Sequence, residues 1–187
     1  MDNQLLTGKL IRLVGAGPDE MGKLTQEWTK DSEFFLFFDS DPVLPRNAAK
    51  AAEFFREHVL RDRPGAFPFA VEKIDDGKII GQCGLWGANS PHRDAWISIG
   101  IGARDLWGKG YGSDAMQVLM RFGFQELNLH RINLYTFEYN PRAIRAYEKL
   151  GFVHEGKQRS AMKRGGQRWA FVFMGVLRDE WENRNRV

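Results

Sequence analysis

An α+β domain is the fold class that the sequence predicts, and three observations carry it. Residues 67–102 alternate short apolar runs with turn residues, the pattern of an antiparallel meander. From residue 110 onward, long helical stretches alternate with single strands. Between the two lies a glycine-rich turn, Trp107-Gly108-Lys109-Gly110-Tyr111-Gly112-Ser113, that leaves a strand and opens a helix. The 187 residues suit one domain spanning 1–187, since roughly 150 residues make a domain.

The elements follow in order. Residues 8–14 read as a short strand closed by Gly15, Gly17 and Pro18. Pro18-Asp19-Glu20 then suits a helix start, because proline is tolerated in the first turn and acids favour the positive helix end; this helix is expected to reach Lys30. A second helix is expected over 46–62, where Ala51, Phe54, Phe55, His58 and Val59 recur at helical spacing. Strands follow at 67–73 and 79–86, joined by the hairpin signal Asp75-Asp76-Gly77-Lys78, and at 95–102 after the turn Asn89-Ser90-Pro91-His92. Residues 110–127 form a helix whose apolar stripe is Ala115, Val118, Leu119, Phe122 and Leu127. A strand at 132–137, a helix at 141–150 with Pro141 inside its start and Gly151 after its end, a hairpin over 156–168 and a strand at 169–177 complete the chain.

Composition excludes several classes. With 43% hydrophobic and 27% charged residues, the chain is neither disordered nor a disulfide miniprotein. No apolar run approaches the roughly 18 residues of a membrane span, and Met1-Asp2-Asn3-Gln4 lacks the basic and apolar regions of a signal peptide. The net charge of +3 is too small to imply nucleic acid. A single cysteine, Cys83, and no signal peptide make the cytoplasm the expected compartment. Cys83 lies between Ile80, Gly84 and Leu85 and reads as a small buried hydrophobe rather than a nucleophile. His58, His92, His130 and His154 show no metal-ligand spacing, so no metal is expected.

The glycine turn carries the chemistry. A helix N-terminus offers unpaired N–H groups and partial positive charge, and glycines let an anion come close. Together they make a phosphate or pyrophosphate cradle. It is not a Walker A loop: Gly102 to Gly108 is one residue too long, and Gly110 stands where Ser or Thr is required. It is not a dinucleotide fingerprint, because Ser113 replaces the third glycine. The alternative is a tight strand-to-helix turn without a ligand.

Three blocks resemble one family. Residues 99–115, with Gly110 and Gly112 as the motif glycines and Trp107 in place of Gln or Arg, are similar to motif A (Q/R-x-x-G-x-G/A) of the GNAT N-acetyltransferases. Residues 140–152, Asn140 through Ala143 and Tyr147 to Gly151-Phe152, resemble motif B. Met174-Gly175-Val176-Leu177-Arg178-Asp179-Glu180-Trp181 is similar to the ending of the RimJ/RimL-like branch. The blocks stand in family order and the resemblance covers nearly the whole chain, least clearly over 14–65.

The resemblance implies a GNAT-like fold: a mixed, mostly antiparallel twisted sheet of about seven strands flanked by helices, with a splayed central pair forming the acetyl-CoA cleft. It implies that backbone groups of Ile99, Gly100 and Ile101 hold the pantetheine arm, that the amides of Trp107, Gly108, Lys109, Gly110, Tyr111, Gly112 and Ser113 hold the pyrophosphate, and that Asn140 lies near the pantetheine or acetyl group. Tyr147 would protonate the leaving CoA thiolate after direct attack by a neutral amine. On residue pattern alone Tyr147 reads first as a core aromatic, sharing a helix face with Ala143, Ile144 and Leu150. The base is open among Glu138, Asp94, His92 and a water chain. Related polyamine acetyltransferases carry a glutamate where this chain has Trp96, which weighs against spermidine.

The aromatic cluster 34–38 is expected either to line an acceptor pocket or dimer contact or to belong to the core, and Asp39 and Asp41 either meet a cationic amine or serve a turn. The cations Lys157, Arg159, Lys163, Arg164 and Arg168 read as a solvated hairpin rather than a nucleic-acid surface. The expected partner is an amine acceptor, a protein N-terminus or a small molecule, with no membrane, and homodimerisation is open. The competing reading is a catalytically idle acyl-CoA-binding regulator on the same fold.

Overall fold

Residues 4–59 and 64–185 are described by the computed structural model. The expected helical residues 60–62 and the leader-free reading of residues 1–3 lie outside them. Seven strands form one sheet: β1 (Ile11–Val14), β2 (Phe67–Lys73), β3 (Ile79–Trp86), β4 (Asp94–Ile101), β5 (Arg131–Phe137), β6 (Val153–Arg164) and β7 (Gln167–Leu177). Their order is β1-β2-β3-β4-β5-β7-β6. Every neighbouring pair is antiparallel except β4 and β5, which run parallel. The helices are α1 (Pro18–Trp28), α2 (Ser32–Phe38), α3 (Ala48–Phe54), α4 (Tyr111–Arg121), α5 (Pro141–Leu150) and α6 (Arg178–Asn185). Among the described residues no helix is long and apolar enough to cross a membrane.

The meander strands β2 and β3 and helix α5 fall on the residues expected. Where the structure differs, local hydrogen bonding explains it. The first strand begins at Ile11 rather than residue 8, because Lys9 and Leu10 donate their N–H groups to the carboxylate of Asp114 at 3.1 and 2.7 Å. Helix α1 ends two residues early, where the Thr29 hydroxyl donates back to the carbonyl of Thr25 at 2.8 Å. Helix α3 starts at Ala48 because Asn47 caps it, accepting from Ala49 N–H at 2.8 Å. The aromatic cluster forms a helix of its own, α2, capped by Asp31, which accepts from Glu33 N–H at 2.9 Å. Five successive apolar residues show no period, so the helix is invisible to pattern reading. Helix α6 carries almost no apolar stripe; it is fixed by Trp181, whose ring lies 5.2 Å from that of Phe124.

The main core lies between the sheet and α4, where Ala115, Met116, Val118 and Leu119 are fully buried against Ile11, Val71, Leu85 and Ile132. Asp114, in the first turns of α4, is buried and accepts from three backbone N–H groups, those of Lys9, Leu10 and Ile11. At the other end of α4, the Arg121 guanidinium donates to the carbonyls of Gln4, Leu5 and Thr7 at 2.9, 2.9 and 2.7 Å. One helix thereby fixes the chain's first described segment at both ends. Asp114→Ala leaves three strand-entry N–H groups without their acceptor. A cost of ~3 kcal/mol is expected at roughly 1 kcal/mol per bond, seen as a Tm lower by roughly 6–12 °C for a chain of this size, with Asp114→Asn falling between.

Candidate active site

Strands β4 and β5 share register only at Asp94–Arg131, Ala95–Ile132 and Trp96–Asn133. Beyond Trp96 they part, while β4 stays paired to β3 as far as Ile101 and β5 stays paired to β7 as far as Phe137. The gap is therefore a wedge whose floor is one unpaired edge of β4. Gly102 N–H donates to Ile80 O of β3 at 2.8 Å. Antiparallel alternation then turns Gly100 toward β3 as well and leaves the N–H groups of Ile99 and Ile101 facing the wedge. The side-chain-free Gly100 and Gly102 let rings lie directly on the strand: a Cβ at Gly100 would stand 2.5 Å from the Phe38 ring, and one at Gly102 would stand 2.1 Å from Trp28.

Trp107 anchors the turn that follows. Its indole N–H donates to Ile101 O at 2.8 Å, which uses the last carbonyl of the open edge and holds the loop against β4. Gly110 then takes a left-handed conformation (φ 91°) as the N-cap of α4, with no side chain to satisfy the first turn. The first helical bond runs from Asp114 N–H to Gly110 O, so the amides of Tyr111, Gly112 and Ser113 remain free for an anion. A Cβ at Gly108 would meet nothing within 4 Å, so the cradle is open on its outer side.

A cavity of ≈ 370 Å³ fills the wedge. It brings together ten of the residues expected from sequence: Ile99, Gly100 and Ile101 on the floor, Trp107, Gly108, Gly110, Gly112 and Ser113 at the cradle, and Asn140 and Tyr147 from α5 and its cap. The side chains of Lys109 and Tyr111 point elsewhere; Lys109 is exposed, and Tyr111 packs on the core beneath Lys73. Asn140 is buried and caps α5, its Oδ1 accepting from Ala143 N–H at 3.2 Å, a task additional to the one expected of it. Burial pushes the Tyr147 phenol up to about 12, against a smaller opposing influence of Arg142. Its ring also meets Phe152 edge-on at 6.0 Å, so the residue packs on the core while lining the cavity.

Glu138 is not brought to this cavity. It accepts from Lys157 Nζ at 3.0 Å and from Ala170 N–H at 3.2 Å, and these contacts, Lys157 first, hold its carboxyl below the usual range. Asp94 and His92 also lie outside. Burial pushes the Cys83 thiol up, which leaves it unreactive. Among the described residues no group of His, Cys, Asp and Glu could hold a metal ion.

Sequence reasoning missed Arg142. Its guanidinium stacks 4.0 Å from the centre of the Trp107 ring and 5.5 Å from that of Phe37, across the cavity mouth. Its position two residues after the motif asparagine was the available signal. It also missed a second cavity of ≈ 350 Å³ on the other side of α2, lined by Trp28, Phe34, Phe35, Phe38, Phe54 and Phe55 among others. Phe34 and Phe38 line both cavities. The aromatic cluster is thus core and site at once. Asp39 pairs with Arg46 at 3.3 Å, and the carbonyls of Asp39 and Asp41 accept from Arg164 at 2.9 and 3.1 Å. Three hairpin cations therefore have structural partners: Lys157 with Glu138, Arg164 with this loop, and Arg168 with Ser160 O.

An open strand edge leading from a pyrophosphate-sized cradle suits an extended acyl-CoA, and the class this defines is an acyl-CoA-dependent transferase. The model of the acetyltransferase (GNAT) domain matches residues 11–153, and the chain belongs to that family. It is an N-acetyltransferase with acetyl-CoA as donor. It is 29% identical over 152 residues to the putative ribosomal N-acetyltransferase YdaF of Bacillus subtilis, covering 79% of each chain. It is 33% identical over 117 residues to the spermidine N(1)-acetyltransferase of Vibrio cholerae, covering 63% of this chain and 66% of that one. Among solved structures, the spermidine N-acetyltransferase of Vibrio cholerae in complex with CoA and spermine superposes with a TM-score of 0.77 at 23% identity, over 92% of this chain and 97% of that one.

The cradle is testable by filling it. Gly112 has an ordinary φ, and a Cβ there meets only Ile101 Cγ1 at 3.6 Å, normal contact. Gly112→Val is therefore expected to fold with a Tm within a few degrees of the parent while acetyl-CoA binding, read by calorimetry, weakens at least tenfold.

Proposed function

We propose that the enzyme passes the acetyl group of acetyl-CoA directly to a primary amine, with Tyr147 as the donor to the departing sulfur. The observation that carries this reading is the pairing, within one cavity, of the unpaired N–H groups of β4 with a half-buried phenol from α5. The thioester carbonyl lies along the β4 edge, where the N–H of Ile101 stabilises the developing oxyanion. The amine nitrogen forms the N–C bond, the C–S bond breaks with its electron pair going to sulfur, and an amine proton ends on sulfur as the thiol. The amides of 107–113 and Asn140 hold the rest of the CoA. The three sequence blocks support a place in the RimJ/RimL-like branch.

Magnitude decides how Tyr147 acts. By analogy with cysteine, a thiol titrates at about 8.5. Complete transfer from a phenol near 12 to such a thiolate is uphill by ~5 kcal/mol. Tyr147 therefore donates a hydrogen bond to sulfur as charge develops and relays the proton only as the amide nitrogen releases its own. Burial that keeps the phenol protonated suits this task. Glu138, held by Lys157 and Ala170, is ill-placed as the base.

Acetyl-CoA at about 100 Kd adds about 2.7 kcal/mol, so a Tm rise of roughly 5–10 °C is expected. Tyr147→Phe is expected to lower kcat at least tenfold with acetyl-CoA affinity within threefold, and Glu138→Gln to leave kcat within about twofold. Equal kcat in Tyr147→Phe removes the phenol from the chemistry. Binding of acetyl-CoA without transfer to any amine restores the idle regulator.

A further inference from the structure

The second cavity has a wall in common with the first. Phe34 and Phe38 line both, and an edge of the Phe38 ring lies against Gly100 of the β4 edge. The second cavity therefore stands on the far side of this wall from the β4 edge, where an amine would approach a thioester held along it. The lining there is aromatic on five elements: Trp28 from α1, Phe34, Phe35 and Phe38 from α2, Phe54 from α3, Phe69 from β2 and Trp86 from β3. Asp39 and Arg46 are the charged side chains of the lining, and they pair with each other. Among the described residues no lining carboxylate is left over for a second or third ammonium group, and an uncompensated cation away from water is disfavoured.

The proton problem has the same setting. Among the described residues no Asp, Glu or His lines the first cavity, and Asp39, already paired with Arg46, is the one such residue lining the second. Among the described residues the other titratable groups facing the two cavities are Arg46, Cys83 from β3, and Arg142, Arg145, Tyr147 and Lys149 from α5. Guanidinium and ammonium groups are donors at neutral pH, and a protonated phenol is one too. None of these accepts a proton from an ammonium ion.

We infer that the acceptor is a primary monoamine on an uncharged aromatic or branched apolar body, which enters the second cavity as the free base, so that desolvation rather than a protein base supplies the nucleophile. This inference rests on the N-acetyltransferase reading and names its substrate class. Removing the ammonium from water disfavours its charged form, and the proton is left in bulk solvent before entry. Attack then forms the N–C bond and breaks C–S. The remaining surplus proton on nitrogen passes to sulfur, so free amine and thioester become amide and thiol with no net proton change inside the site.

The test uses the full chain and four probes: 2-phenylethylamine, its β,β-difluoro analogue, spermidine and a Ser-Ala N-terminal peptide, with CoA thiol release as readout. The expected result is a kcat/KM for 2-phenylethylamine at least tenfold above that for spermidine or the peptide. Below the acceptor's own titration point, kcat/KM should rise about tenfold per pH unit. That limb should move to lower pH for the difluoro analogue, whose ammonium is more acidic. A limb fixed at one pH for both amines shows a protein base and overturns the inference, as does preference for spermidine or the peptide. In Ser98→Leu, at the exposed rim of the second cavity, the KM for 2-phenylethylamine should rise at least fivefold with the Tm shift by acetyl-CoA unchanged. An unchanged KM there puts the acceptor elsewhere. Acetyl-CoA stabilisation with transfer to none of the four probes overturns this inference, and extending that failure to every amine tried overturns the direct-transfer reading as well, whereas transfer to the peptide or spermidine alone overturns only this inference.

Discussion

Three residue pairs join the two halves of the sheet, and then the strands part. That parting of β4 from β5 after Trp96 and Asn133 is the constraint on which the rest depends. A sheet that continued would spend the N–H groups of Ile99 and Ile101 on its own ladder. Because it does not, those groups are presented, already oriented and at no conformational cost, to whatever lies in the wedge. The join itself is reinforced by a side chain: the buried Asn133 donates from Nδ2 toward Ala95 O and Asp94 Oδ2, each at 3.4 Å.

A wedge with few bonds across it needs bracing, and α2 provides it. At its N-terminal end Asp31 receives the Arg104 guanidinium, from the segment following β4, and this contact holds the Asp31 carboxyl below its ordinary range. Near its C-terminal end Leu36 O accepts from the Tyr139 hydroxyl at 2.7 Å, and the following loop accepts from Arg164 of β6. The helix thus spans from the β4 arm to the β5–β7–β6 arm. The same short helix supplies Phe34 and Phe38, the wall between the two cavities. Bracing and partition are tasks of one element, which is why four phenylalanines and Leu36 stand in a row at 34–38 with an acid on either flank.

How much of this was legible follows from what kind of signal each part leaves. Helix α5 was readable to the residue, because Pro141 and Gly151 mark its ends by backbone geometry alone. The cradle was readable because glycines before a helix have a physical meaning. Helix α2 was not, since an unbroken apolar run has no period. Arg142 was not, since a cation on a helix reads as solvated surface until the Trp107 ring is placed 4.0 Å beneath it. The displacement of Glu138 from the cavity was hidden for the complementary reason: its partners, Lys157 and Ala170, lie 19 and 32 residues away along the chain. Proximity in sequence to Asn140 suggested a role that long-range pairing withdraws.

The division of chemistry between the arms follows from their charge. The α5 side presents Arg142, Arg145 and Lys149 to the first cavity with no acid among them, which favours a polyanionic donor and repels a cationic acceptor. The α1–α3 side presents rings and one neutralised ion pair. A positively charged amine is therefore unwelcome on both sides, by repulsion on one and by lost hydration on the other. The neutral amine pays neither penalty and is also the only form with a lone pair to attack. On the proposed reading, the cations facing the first cavity and the rings lining the second select the same protonation state, the neutral amine.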